Sequence, residues 1–404
     1  MLELENLRYE SAYILMIASK KSDFKLIRSD LSRNHSSMLW VSYNRYPFFN
    51  MNESQMLIAL HLLFLTSLTP YGPRLTLGAL GSGSPKNIDY LYIMKAAIIN
   101  HFGSAEELTI ADIEKPTAGP DQVIISIKAA GINPVDTKIR SGKHISCKDL
   151  KLPAVLGKDF SGTIKMIGAN VSGFQAGDAV FGCSFGAGTY AGYIATESSY
   201  FVRKPANVSF EDSAAVPLAA LTAYQAIHEH LALQAGQRIL IHAAAGGVGH
   251  MAVQFAKMAG AYIYGTASKA NASFLKELGA DEPIDYKNEN FENRASDLDA
   301  VIDAMGGEVL YRSITCVKPG GTVVCLPSST KDDPKAVGLA LERDVKLIWP
   351  MMHPDRDQLE IFAQLLHDEK LRVNVDRSYS LEDITRAHTD MESHKTRGKL
   401  VVII

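Results

Sequence analysis

Hydrophobic and polar positions follow two different patterns along the chain beyond residue 93. Residues 94–100 predict an opening strand, and residues 122–129 alternate like a strand with one buried face. Further short strands, separated by glycines, are predicted over residues 162–168 and 177–182. Closely spaced strands of this kind favour a small, barrel-like β-rich domain.

The second pattern alternates between helix and strand. Residues 217–228 begin it with a helical period, and residues 237–243 form a continuous apolar run that is typical of a parallel strand buried on both faces. The units that follow are predicted over residues 251–258, 261–266, 299–307 and 318–326. This alternation predicts an α/β protein with a doubly wound parallel sheet. Beyond residue 346 the chain is expected to return to the first domain and to end on a strand over 398–404.

The first 93 residues share neither pattern. They contain an apolar run over residues 56–68 and a passage rich in Gly, Pro and Ser over residues 69–85, ahead of Met94. The apolar run is shorter than the roughly 20 residues that a membrane-spanning helix needs. We predict a poorly ordered extension or a start codon assigned upstream of Met94. A targeting or membrane-associating function and a packed accessory element are the alternatives.

The apolar run over residues 237–243 ends in a glycine turn that predicts a dinucleotide site. The spacing Ala244-x-Gly246-x-x-Gly249 departs from the G-x-G-x-x-G fingerprint in its first position only. Glycines let the backbone approach a pyrophosphate, and the N-terminus of the next helix attracts anions. A turn that serves packing alone is the alternative. The residues predicted to bind the cofactor here are Ala245, Gly246, Gly247, Val248 and Gly249.

The segment after the next strand indicates which dinucleotide binds. NAD-binding units carry a carboxylate about 20 residues after the glycine turn, whereas no acidic residue lies between Gly249 and Glu277. Ser268 and Lys269 can donate to a 2′-phosphate, and the hydroxyl of Tyr286 can close the same pocket. A solvated loop lysine is the alternative for Lys269. The sequence therefore predicts NADPH as the cofactor.

Composition and charge limit the classes of partner. A chain of 404 residues is long enough for two domains, and its 47% hydrophobic and 21% charged residues are ordinary for a globular protein. A net charge of -3 gives no electrostatic reason to expect nucleic acid, or a membrane for residues 94–404. The four cysteines are widely spaced, which indicates a reducing compartment and leads us to expect a cytoplasmic protein.

Five motifs occur in a fixed order over residues 94–404. They are A-A-G-I-N-P-V-D-T-K-I-R-S-G at 129–142, P-A-V-L-G-K-D-F-S-G at 153–162, A-A-V-P-L-A-A-L-T-A-Y at 214–224, A-G-G-V-G at 245–249 and R-G-K at 397–399. Together they resemble the zinc-independent, zeta-crystallin-like quinone oxidoreductase branch of the medium-chain dehydrogenase/reductase superfamily. The resemblance implies a GroES-like catalytic domain (residues 94–216 and 347–404), a Rossmann NADP-binding domain (217–346), an active site in the cleft between them, and a homodimer.

The chain departs from zinc-containing members at the positions of their ligands. Where those members place a cysteine this chain has Asn133, and where they place His-Glu it has Lys158 and Asp159. His228 and His230, two residues apart, lie on different helix faces, so no metal site is predicted. The resemblance implies hydride transfer from NADPH to a quinone or an enone without a Lewis acid. An enoyl-thioester reductase that works with a carrier protein and a non-catalytic, crystallin-like NADPH-binding protein are the alternatives.

The resemblance also suggests the residues that carry out catalysis. Asn133 and Asp136 lie at the family's cleft position, and we expect Asn133 to donate to the acceptor carbonyl or to the nicotinamide side. A turn-forming asparagine before a proline is the alternative. His144 stands where relatives often carry a tyrosine, and it is a candidate proton donor or a solvent-exposed loop histidine. Two further residues are expected at the nicotinamide end and at the cofactor, Thr222 and Lys399 respectively.

Overall fold

The computed structural model describes residues 93–186 and 188–404, and the backbone of four strands nearer the N-terminus. These are β1 (Arg8–Tyr9), β2 (Ala12–Ala18), β3 (Phe24–Asp30) and β4 (Ser36–Val41), which form an antiparallel sheet in that order. The apolar run over residues 56–68 lies outside the described residues. The expectation of a poorly ordered extension or a mis-assigned start stays a prediction.

From residue 93 the chain builds a β-rich part, then an α/β part, and ends with a segment that joins the first again. The β-rich part comprises β5 (Ile93–Ile99), β6 (Leu108–Glu114), β7 (Gln122–Ile132), α1 (Pro134–Arg140), β8 (Ala154–Val155), β9 (Asp159–Ile167), β10 (Ala179–Cys183), β11 (Tyr193–Glu197), β12 (Phe201–Arg203) and α2 (Phe210–Ala214). The α/β part comprises α3 (Pro217–Gln225), β13 (Arg238–Ile241), α4 (Gly247–Met258), β14 (Tyr262–Ala267), α5 (Ala272–Leu278), β15 (Glu282–Asp285), β16 (Leu298–Asp303), α6 (Gly307–Cys316), β17 (Val317–Cys325), α7 (Pro334–Glu342) and β18 (Lys346–Ile348). The last segment comprises α8 (Arg356–His367), β19 (Val375–Ser380), α9 (Ile384–Glu392) and β20 (Lys399–Ile403).

A seven-stranded sheet organises the β-rich part. Its order is β12-β10-β9-β7-β20-β19, with β11 also paired to β7, and a three-stranded sheet β6-β5-β8 accompanies it. Alternate residues of β7, namely Val123, Ile125 and Ile127, are buried in one apolar cluster with Phe160 and Phe201. The intervening Ile124 and Ser126 are buried as well, so β7 is covered on both faces, whereas the sequence pattern predicted a strand with one buried face.

A six-stranded parallel sheet of order β15-β14-β13-β16-β17-β18 organises the α/β part. In the central strand β13, Ile239 and Ile241 pack in one apolar cluster while Leu240 packs in the other. Both faces of this strand are therefore covered, which explains its continuous apolar run. The predicted fold class, a GroES-like β-rich domain with a Rossmann doubly wound sheet, is confirmed.

The domain boundaries named from the sequence stay predictions. Strand β18 crosses the expected boundary between residues 346 and 347, because it pairs with β17 in the parallel sheet. Helix α8, which follows that boundary, packs Leu359 and Phe362 into the apolar cluster shared with α3 and α4. No helix among residues 93–186 and 188–404 combines the length and the hydrophobicity that crossing a bilayer requires.

The C-terminal segment connects the two sheets. Strand β20 lies between β7 and β19, antiparallel to the first and parallel to the second. Just before it, the N–H of Gly398 donates to the carbonyl of Ala245 at 2.8 Å, and Gly398 pairs with Gly246 as a parallel bridge. The end of the β-rich sheet is thereby hydrogen-bonded to the glycine turn of the α/β part.

Candidate active site

The glycine turn lies between strand β13 and helix α4, and its backbone leaves room for a ligand. Ala243 adopts a left-handed conformation with φ of 49°. A Cβ added to Gly249 would stand 2.3 Å from the carbonyl oxygen of Ala243, so only glycine lets the helix pack this closely on the strand. A Cβ added to Gly247 would stand 3.1 Å from Cδ of Lys399. The first-turn N–H groups of a helix attract anions, so this cradle fits a pyrophosphate.

A pocket of about 330 Å³ opens where strands β14 and β15 end. The structure brings Ser268 and Lys269 together in its lining, as expected for a 2′-phosphate site. Tyr286 is 58% exposed, and its N–H donates to the carbonyl of Ala267 beside that pocket. These three residues therefore lie in one region, as the sequence analysis required.

Two acidic residues that the sequence analysis missed, Asp285 and Glu289, also line this pocket. Both are engaged by the protein itself. Asp285 accepts from Nδ2 of Asn288 at 2.6 Å and from the N–H of Lys287, and the bond from Asn288 is the main reason its pKa is lowered. Glu289 accepts from the guanidinium of Arg294 and from the N–H of Asp285. Asp285 ends strand β15 and Glu289 lies in the turn after it, and β15 is adjacent to β14 in the sheet but not in the sequence.

A buried cluster of Asn133, Asp159 and Lys399 lies beside the glycine turn. The amide Nδ2 of Asn133 donates to Oδ2 of Asp159 at 2.9 Å, and Nζ of Lys399 donates to the same oxygen at 3.2 Å and to Oδ1 of Asn133. The other oxygen of Asp159 accepts the N–H of Leu218, in the first turn of α3, at 2.8 Å. All three members of the cluster are at least 98% buried. We name this group the Asn–Asp–Lys cluster.

Asp136 lies behind this cluster and positions it. One carboxylate oxygen accepts the N–H of Asn133 and the hydroxyl of Tyr190, each at 2.9 Å. Its other oxygen has no hydrogen-bond partner among the described residues, and the side chain is fully buried. Burial raises the pKa of Asp136 to about 6, against the lowering effect of the two hydrogen bonds. These contacts indicate that Asp136 holds helix α1 and Asn133 in place.

Thr222 and His144, two further residues predicted from the sequence, lie outside the Asn–Asp–Lys cluster. The hydroxyl of Thr222, on helix α3, donates to the carbonyl of Leu218 at 2.7 Å, so its proton is used within its own helix. His144 is half-buried, and its Nδ1 lies 2.8 Å from the hydroxyl of Ser146. Burial, together with Lys138 and Lys158, lowers the pKa of His144. The roles predicted for these two residues stay predictions.

Potential metal ligands converge elsewhere in the described part of the chain. Glu229, His353 and Asp355 have ligand atoms within 4.8 Å of one another, and the first two are exposed. His353 and Asp355 precede helix α8 and Glu229 lies in the helical turn that follows α3, so none of the three belongs to the Asn–Asp–Lys cluster. The cluster itself presents an amide, a carboxylate and an ammonium, and an ammonium has no lone pair for a metal. These donors do not fit a zinc site.

Similar proteins agree with this architecture. Residues 119–206 match the family described as alcohol dehydrogenase GroES-like domain, and residues 278–402 match the family described as zinc-binding dehydrogenase. The 2-methylene-furan-3-one reductase of Solanum lycopersicum is 32% identical over 323 residues, which are 76% of this chain and 79% of that relative. The structure of the quinone oxidoreductase from Coxiella burnetii has a TM-score of 0.74 at 35% identity, over 77% of this chain and 99% of that one. For the Escherichia coli quinone oxidoreductase complexed with NADPH, the TM-score is 0.71 at 27% identity, over 77% and 100%.

The chain belongs to the quinone oxidoreductase branch of the medium-chain dehydrogenase/reductase superfamily. The resemblance identified from the five motifs is thereby confirmed, and the protein is an oxidoreductase of this branch. The individual site residues named from the sequence stay predictions. Among them, the structure brings Asn133, Asp136 and Lys399 together.

Replacing Lys399 with methionine tests the cluster of this oxidoreductase. The variant leaves the buried carboxylate of Asp159 without its ammonium, so we expect a loss of about 3–5 kcal/mol of unfolding free energy in urea titrations. Adding Asp159→Asn to Lys399→Met should restore part of this loss, because the uncompensated charge is gone. Lys257→Met is the control, since its ion pair with Asp281 is half-exposed and should contribute less than about 1 kcal/mol. A Lys399→Met variant as stable as this control would contradict the argument.

Replacing Asp136 with asparagine tests its raised pKa. The folded protein holds the proton more tightly than the unfolded chain, so stability falls as the pH rises from about 4 to about 6. Across this window we expect the wild type to lose on the order of 3 kcal/mol relative to Asp136→Asn. Unfolding titrations at several pH values measure the difference. The exposed Asp112→Asn is the control, and parallel profiles for the wild type and Asp136→Asn would refute the assignment.

Proposed function

We propose that this oxidoreductase uses NADPH to reduce a quinone or an α,β-unsaturated carbonyl compound by direct hydride transfer, without zinc. The observation that carries the proposal is the Asn–Asp–Lys cluster, which lies directly against the glycine turn. Because an ammonium and a fully engaged carboxylate occupy this place, the cluster offers no set of converging metal ligands. Hydride donation to an electron-poor acceptor needs no Lewis acid to stabilise an alkoxide.

The cofactor side of the proposal rests on two regions of the α/β part. The turn residues 245–249 and the N-terminus of α4 would hold the pyrophosphate, and the stem of Lys399 lies against Gly247. Ser268, Lys269 and Tyr286 would bind the 2′-phosphate through an ammonium and hydroxyl groups. When bound, NADPH supplies the hydride, and the protein supplies position and shelter from water. The Escherichia coli relative that was solved with NADPH supports this choice.

The acceptor side rests on Asn133. An amide nitrogen carries two N–H groups, and the contact with Asp159 uses one of them. The remaining N–H would donate to the acceptor carbonyl or to the nicotinamide side, while Asp136 fixes the backbone of Asn133. Thr222 would line the nicotinamide end, and His144 is the proton donor that the sequence suggests.

Turnover separates the proposed activity from its alternatives. We expect the protein to oxidise NADPH in the presence of a panel of quinones and enones. The loss of NADPH absorbance measures this reaction. Stabilisation by NADPH in a thermal-shift assay without turnover of any acceptor would instead favour a crystallin-like binding protein. Turnover restricted to enoyl thioesters on a carrier protein would favour the carrier-dependent reductase. A homodimer and a cytoplasmic location stay predictions.

Replacing Lys269 with alanine tests the choice of NADPH over NADH. Loss of one charged contact to a phosphate should weaken NADPH binding about 10-fold and leave NADH binding unchanged. Fluorescence titration with each dinucleotide measures both affinities. Lys276→Ala, an exposed lysine on helix α5, is the control. Tighter binding of NADH than NADPH by the wild type would overturn the assignment, and the ribose would then be expected to contact Asp285.

A further inference from the structure

Lys158 is a half-buried lysine whose ammonium has no ion-pair partner in the described part of the chain. It immediately precedes strand β9 and therefore adjoins Asp159 in the chain. Among residues 93–186 and 188–404 its ammonium makes neither a hydrogen bond nor an ion pair, and it lies over the ring of Phe185, with Nζ 5.8 Å from the ring centroid. A charged group that loses part of its water without gaining a partner is costly, so the position of Lys158 calls for an explanation.

The nearby carboxylates are engaged by other residues. Both oxygens of Asp159 are bonded, one to the N–H of Leu218 and the other within the Asn–Asp–Lys cluster. Asp136 gives one oxygen to Asn133 and Tyr190. The positive charge of Lys158 nevertheless acts on this region, because it opposes part of the rise that burial causes in the pKa of Asp136 and adds to the lowering that burial causes in the pKa of His144. Lys158 therefore supplies an uncompensated positive potential beside the cluster.

An aromatic surface adjoins this charge. Phe185 is 39% exposed, and its ring centroid lies 5.9 Å from that of Tyr200, with the two ring planes 32° apart. Exposed aromatic faces suit flat conjugated molecules, which stack in an offset geometry. An ammonium beside such a surface suits a conjugated molecule that carries a negative charge on oxygen.

We propose that Lys158 is a catalytic residue that stabilises the oxyanion formed on a conjugated carbonyl acceptor and then protonates it. The proposal rests on the proposed function. When a hydride ion adds to the β-carbon of an enone, a C–H bond forms and the π pair of the C=C bond moves toward the carbonyl oxygen. The acceptor gains two electrons and the nicotinamide loses two. The ammonium of Lys158 gives a proton to that oxygen, and the resulting amine recovers a proton from water. For a quinone, the same step converts the hydroquinone anion to the hydroquinone.

His144 is the rival proton donor, and its surroundings fit the task less well. Its Nδ1 is engaged with Ser146, and burial, together with Lys138 and Lys158, lowers the pKa of His144. A neutral imidazole has no positive charge to offer an oxyanion. Lys158 offers that charge as a compact ammonium with three N–H donors.

Three variants of the whole protein test this role. Lys158→Met removes the charge and keeps the length of the side chain, whereas Lys158→Arg keeps the charge. Lys165→Met, at an exposed lysine on strand β9, which Lys158 immediately precedes, is the matched control. Two measurements apply to each protein: steady-state reduction of an enone by NADPH, and binding of 4-nitrophenol, whose absorption spectrum reports its ionisation. The second needs no turnover, so it reports the anion site by itself.

We expect Lys158→Met to lower kcat about 100-fold with a small change in KM, as for loss of an oxyanion donor. It should also abolish the shift of bound nitrophenol toward its anion. Lys158→Arg should retain the shift, and Lys165→Met should match the wild type in both measurements.

An active wild type whose kcat and nitrophenol shift survive in Lys158→Met would overturn the inference and leave the proposed function standing. A wild type that reduces no acceptor but shows a Lys158-dependent shift would overturn the proposed function and keep the anion site. A wild type with neither would overturn both.

Discussion

The buried ion pair between Lys399 and Asp159 constrains much of the structure around it. An ammonium and a carboxylate can remain in an apolar interior only if each is paired and hydrogen-bonded. Here the pair is completed by the amide of Asn133 and by the N–H of Leu218. These groups come from the start of β20, the start of β9, the residue before α1 and the first turn of α3. Satisfying one pair of charges therefore fixes four segments that are far apart in the sequence.

This constraint also links the two sheets at the proposed cofactor site. Gly398 adjoins Lys399 and is hydrogen-bonded to the glycine turn at Ala245. Strand β20, which carries Lys399, thus belongs to the β-rich sheet, and the side chain of Lys399 also lies beside Gly247 of the glycine turn. Asp136 adds a second support from behind, because its carboxylate holds the backbone of Asn133. The site is consequently built on strand and helix ends rather than on free loops.

Two lysines near this site contrast in how their charge is used. The ammonium of Lys399 is fully engaged by Asp159 and Asn133, so its charge serves the architecture. Lys158, one residue away from Asp159, has no such partner among the described residues and stays half-exposed. Local sequence gives no reason for the difference, since both lysines lie at strand ends. The difference arises from tertiary contacts, because Nζ of Lys399 meets Asp159 and Asn133 whereas Nζ of Lys158 lies over the ring of Phe185.

The sequence by itself determined the fold class, the family and the location of the glycine turn, which we propose binds the cofactor. These depend on local signals: the apolar period of strands and helices, the spacing up to Gly249, and motifs of three to fourteen residues. Ser268 and Lys269 were accessible for the same reason, because they directly follow the strand that carries them to the pocket. The tertiary structure alone decided which distant side chains meet. It brought Asp285 into the pocket that the sequence had suggested was free of acids, since neighbouring strands of a parallel sheet are separated by a helix in sequence. It also joined Lys399 to Asp159 across 240 positions, because a buried charge finds its partner through space and not along the chain.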